Sequence, residues 1–162
     1  MLPVKSGAGA FVADNKSYFG YKTRKPYKSE MDYFKTNPHV GGMATEDGKI
    51  IFNPHSKNVN YDAIGANEAS RLFMRQNGIT PQFDITPEQA ASFKGTEYES
   101  DLPSLKQSIV GRIISGDPSA GAITPAQKEF ADQIMKSLEY YSKNKEVRDE
   151  KLRKHPTSRR LW

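Results

Sequence analysis

Past residue 60, apolar side chains return every three or four positions, in stretches parted by strong breaking residues. Asn60 can cap a helix reaching about Gln76, with Ile64, Ala69, Leu72 and Phe73 on one face and Gly78 as a left-handed stop. Ile85-Thr86-Pro87-Glu88-Gln89 opens a second, short helix that ends near Phe93. Thr86 caps it, Pro87 takes the first helical position, and Gln89 can bond back to the cap amide. A third helix starts around Pro103 and buries Leu105, Ile109 and Ile113 before Gly116. The same start recurs at Thr124-Pro125-Ala126-Gln127 and opens the longest helix, striped by Phe130, Ile134, Leu138 and Tyr141. It is expected to continue to about Lys154, where His155-Pro156 breaks it. The sequences that follow the two Thr-Pro-x-Gln starts do not match, so capping chemistry repeats and not a structural unit. Before these helices, Met43-Ala44-Thr45 and Lys49-Ile50-Ile51-Phe52 flank Asp47-Gly48, a hairpin signal.

Residues 1–40 show no such periodicity. Gly7, Gly9, Gly20, Pro26 and Pro38 interrupt them, yet seven aromatics fall there: Phe11, Tyr18, Phe19, Tyr21, Tyr27, Tyr33 and Phe34. Disordered segments are poor in aromatics. The pattern therefore predicts an extended arm that docks on a surface, with at most a short helix over 29–34 capped by Ser29. The predicted fold is mainly α: a compact helical body of about four helices and one small β-hairpin over 41–142. The arm precedes it, and a basic helix or tail follows over 143–162.

Charge sharpens that division. Residues 1–40 hold seven Lys/Arg against three Asp/Glu, residues 41–142 nine against thirteen, and residues 143–162 eight against three. An acidic body with two basic ends is a design for acidic partners or nucleic acid, and equally for solubility. With no cysteine, disulfides and thiolate chemistry are excluded. No apolar run approaches the roughly 20 residues of a membrane helix, and the start of the chain does not read as a signal peptide.

Candidate chemistry is sparse. Asn37-Pro38-His39 and Asn53-Pro54-His55 are matching triplets, but two histidines on turns fall short of the convergent ligand set a metal needs. Ser115-Gly116-Asp117-Pro118-Ser119-Ala120-Gly121 lacks the lysine and spacing of a phosphate loop and reads as a connector between helices. Glu97, Glu99 and Asp101 sit in a polar loop without an apolar setting to raise a pKa. Glu68 lies on or beside an apolar face, where Arg71, Arg75 or Arg112 can pair with it. No catalytic, metal or cofactor residues are expected. The expected contact residues are aromatic or arginine: Phe11, Tyr18, Phe19, Tyr21 and Tyr27 in the arm, and Arg159, Arg160, Leu161 and Trp162 at the end.

Residues 42 to about 134 resemble small uncharacterised proteins of short-tailed bacteriophages. The resemblance rests on Met43-Ala44-Thr45-Glu46-Asp47-Gly48-Lys49-Ile50-Ile51, on Asn67-Glu68-Ala69 with Arg71 and Met74-Arg75, and on the 115–121 loop followed by Thr124-Pro125-x-Gln127. It implies a non-enzymatic virion protein of the tail, the head–tail connection or the ejected set, assembled in the host cytoplasm. Its partners would be other virion proteins, met as multiple copies in a symmetric assembly. The alternative is a phage factor whose basic ends hold nucleic acid weakly.

Overall fold

The computed structural model describes residues 16–57 and 60–144. In chain order the elements are β1 (Ser17–Tyr18), β2 (Tyr21–Lys22), α1 (Lys28–Thr36), β3 (Gly42–Ala44) and β4 (Ile50–Phe52). Then come α2 (Tyr61–Gln76), α3 (Pro87–Ser92), α4 (Leu102–Ser115), a 3-10 turn (Pro118–Ala120) and α5 (Pro125–Lys143). The fold is mainly α, with two small antiparallel hairpins.

α2 is the centre. From Glu68 to Met74 every residue is buried, so this stretch of the helix is enclosed on all sides, unlike a surface helix with one apolar stripe. Asn60 caps it, accepting from the Ala63 N–H at 3.2 Å. Ile64, Leu72 and Met74 share one core with Leu105, Ile109 and Val110 of α4 and Ala131, Ile134 and Leu138 of α5. α2 and α4 approach closely at Gly111, where a Cβ would stand 2.2 Å from Asn67 Oδ1.

The hairpins lie against α2. β3 and β4 pair in the register Gly42↔Phe52, Met43↔Ile51, Ala44↔Ile50, and Gly48 closes the turn at φ 78°. Ile50 and Phe52 belong to the shared core, while Ile51, pointing to the other face by strand alternation, is also fully buried.

α3 and α5 begin with the same capping box. Thr86 Oγ1 accepts from Gln89 N at 3.0 Å, and Thr124 Oγ1 from Gln127 N at 3.2 Å. The two glutamines then meet each other. Gln89 Nε2 donates to Gln127 Oε1 at 2.7 Å, and Gln127 Nε2 to Gln89 Oε1 at 2.8 Å. Each amide also donates to a backbone carbonyl, Ala122 for Gln89 and Asp84 for Gln127. Each Oε1 accepts its own cap N–H as well, so both buried amides are saturated.

Residues 16–40 depart from the extended arm. β1 and β2 form a hairpin whose turn residues, Phe19 and Gly20, both have positive φ, 52° and 88°. That is the backbone twist of a type I′ turn, adopted here with a phenylalanine where asparagine or aspartate is usual. Thr23 then bridges to Ile50 in parallel, and Arg24 N donates to Ile50 O at 3.1 Å. The packed body therefore starts before residue 41. α1 is longer than the sequence pattern implies and takes Tyr27 instead of Ser29 as its cap, because the Glu30 carboxylate accepts the Tyr27 N–H at 2.7 Å. α5 is described to Lys143, and the expected continuation to about Lys154 lies outside the described residues. Asn144 caps it, its Nδ2 donating to Tyr140 O at 2.7 Å.

Candidate docking surface

Four of the nine expected contact residues lie among the described residues. Three of them face inward. Tyr18 lies across Gly65 of α2, where any Cβ would come within 2.5 Å of its ring. Its hydroxyl donates to Asp62 Oδ1 at 2.9 Å. Burial, with that hydrogen bond and the Asp62 charge, raises its pKa. Phe19 packs on the edge of the core. Tyr21 is only 3% exposed and donates its hydroxyl to Gln76 Oε1 at 2.6 Å. These three are corrected from docking residues to packing residues. A tight hairpin buries aromatics without the long-range periodicity that the sequence reading required. Phe11, Arg159, Arg160, Leu161 and Trp162 lie outside the described residues.

Tyr27 is the exception, 60% exposed at the head of α1. The Arg24 guanidinium stacks over its ring, 3.9 Å from the centroid. Two carboxylates hold that guanidinium. Glu30 accepts from both terminal nitrogens at 2.8 and 2.9 Å, and Asp47, in the β3–β4 turn, accepts at 3.1 and 3.2 Å. Burial alone would raise both carboxyl pKa values, but the hydrogen bonds and charge of Arg24 bring them below the ordinary range. Arg24 is itself held above its usual value, chiefly by the Glu30 hydrogen bonds. The result is a rigid cation–aromatic pair on the rim. Exposed Lys22, Lys25, Lys28 and Lys35 lie in the same segment. On α1 only Phe34 is fully buried, and Tyr33 remains partly exposed. Sequence reasoning missed Arg24. Its only local signal was Glu30, three residues after Tyr27.

The other candidates resolve into structure. Asn53 Nδ2 donates to the carbonyls of Asn37 and Val40, so the Asn-Pro-His turns meet through an asparagine while both imidazoles are exposed. Among the described residues no group of three or more His, Asp or Glu side chains is placed to hold a metal. In the 115–121 loop, Asp117 caps the 3-10 turn by accepting the Ser119 N–H at 2.8 Å. Glu68 pairs with Arg71, whose Nε donates at 3.3 Å, and both are buried. Burial pushes the Glu68 carboxyl up, against the pull of Arg71, Arg75 and the Ala44 N–H. No helix among the described residues is long and apolar enough to cross a membrane. No family model, curated protein or solved structure matches this chain.

Proposed function

We propose that the protein is a non-enzymatic structural or accessory component of a bacteriophage particle, docking to other virion proteins through its basic margins. The observation that carries the docking part is the Arg24–Tyr27 pair. Arginine and tyrosine dominate interface hot spots, and this pair is already immobilised by Glu30 and Asp47. Little side-chain entropy remains to be lost when a partner covers it. The phage assignment is supported by the resemblance over residues 42 to about 134.

The test is a peptide inventory of purified particles, combined with Tyr27→Ala in the full chain. The expected result is the chain among virion proteins, and loss of the variant from particles although it melts like the parent. Absence of the chain from purified particles refutes the virion role. Normal incorporation of Tyr27→Ala refutes the docking surface.

A second reading draws on the same segment. Four exposed lysines beside an exposed tyrosine suit a phosphate backbone with base stacking. Binding to nucleic acid that survives 200 mM salt would favour a packaging or host-takeover factor, since purely phosphate-directed binding falls steeply over that range, roughly 50–200 mM.

A further inference from the structure

We propose that Arg71, Arg75 and Arg112, covered by Tyr98, form a binding site for one small tetrahedral oxyanion of the inorganic phosphate type. The site goes beyond the docking role and stands on different residues. Arg71 and Arg75 lie one turn apart on α2, Arg112 comes from α4, and Tyr98, in the loop after α3, meets Arg71 and stands edge-on to Phe93, the ring that Arg112 stacks over.

The leading observation is an unfilled donor. Arg71 is buried, its Nε engages Glu68, and its Nη2 faces Asn67 Oδ1 at 3.5 Å. Its Nη1 is buried without any hydrogen-bond partner. A buried charged donor left without an acceptor is costly, so an acceptor is favoured there. The guanidinium carbon lies 5.3 Å from the Tyr98 ring centroid. Arg112 stacks 4.2 Å from the Phe93 ring centroid and gives its Nη1 to Ser119 O at 3.3 Å.

Glu68 is the buried carboxylate, and it already takes the Ala44 N–H and Arg71. Glu97 and Asp101 are exposed at the rim, and Asp117 is engaged with Ser119 N. Burial, with the charge of Arg71, pushes Arg75 down to about 10 and lowers Arg112 as well. An oxyanion accepting from Arg71 Nη1 would fill the orphaned donor. Guanidinium groups match tetrahedral oxyanions well.

Entry requires Tyr98 to lift. Its loop is closed on itself: Gly95 N donates to Glu99 Oε1 at 2.9 Å, and Thr96 Oγ1 to Phe93 O at 2.6 Å.

The experiment titrates the full chain with inorganic phosphate against chloride at matched ionic strength. Thermal melting and the Tyr98 ring resonances are followed together. The expected result is a saturable rise in Tm and a saturable shift of Tyr98. Arg112→Gln and Arg75→Gln should each weaken the apparent affinity by about tenfold or more, as loss of one charge-assisted hydrogen bond implies. A linear, unsaturating rise shared by both variants is general exclusion of phosphate from the surface and overturns the site. So does an unshifted Tyr98 in the parent chain, a reading that needs no variant to fold.

Discussion

Replacing Gln127 by alanine tests whether the paired capping glutamines hold α3 against α5. The Gln127 side chain makes four hydrogen bonds, to Asp84 O, to Thr124 N and twice to Gln89. Truncation leaves the Gln89 amide with one N–H and one oxygen lone pair unfilled in a buried site. Each such group costs about 1–3 kcal/mol, and the vacated volume adds to it. We expect Gln127→Ala to lose about 3–5 kcal/mol, a large part of the roughly 5–15 kcal/mol typical of a domain. Urea unfolding followed by circular dichroism measures this, with the m-value showing whether two-state behaviour holds. Gln89→Ala and the double variant complete a cycle, whose coupling energy should be about 1–3 kcal/mol. Gln127→Glu adds a chemical control. A carboxylate cannot donate to Asp84 O and would repel Gln89 Oε1. Its folded pKa should lie above the unfolded value, so its deficit should shrink as pH falls and the acid form regains a donor. A loss below about 1 kcal/mol, or an additive cycle, would show that the pair meets without mutual support.

Gly111→Ala should cost about 1–3 kcal/mol in a thermal melt, because its Cβ would stand 2.2 Å from Asn67 Oδ1 and force the Asn67 side chain out of its place between α2 and α4. Ile109→Ala should cost about 2–5 kcal/mol by urea unfolding, as a fully packed residue of the shared core. A version of the chain beginning at Gly41 should melt below one beginning at Lys16, since it lacks Tyr21 and leaves Gln76 Oε1 without the tyrosine hydroxyl. Glu30 and Asp47 have folded pKa values below their unfolded ones, so their contribution is present above the unfolded pKa and fades as pH falls through the folded one. Acid titration of stability should thus be flatter in Arg24→Ala than in the parent.

The helices were legible because their ends are local. Asn60, Thr86 and Thr124 each cap the helix their position announces, and Asp47-Gly48 turns the hairpin it announces. Glu68 was recognised as an ion-pair partner, and Arg71 proves to be the arginine it takes. The first hairpin was illegible. Its strands are two residues long, too short for alternation to register, and its turn rests on a phenylalanine at positive φ. The docking candidates were misjudged for that reason, since Tyr18, Phe19 and Tyr21 find their cover far along the chain. The meeting of Gln89 with Gln127 was hidden in the same way: each Thr-Pro-x-Gln signal announces its own helix and nothing about the other.

That first hairpin also bears on how the chain is made. Tyr18 bonds a residue 44 positions later, and Tyr21 one 55 positions later. A ribosome adding about 5–20 residues per second takes roughly three to eleven seconds to supply the second of these partners. For that interval the nascent chain carries Tyr18 and Tyr21 without their full set of α2 partners, and they are a natural target for a chaperone. Stalling synthesis at successive lengths should show them accessible to chaperone crosslinking until α2 has left the exit tunnel, and protected afterwards. Early protection would mean that the hairpin finds temporary cover elsewhere.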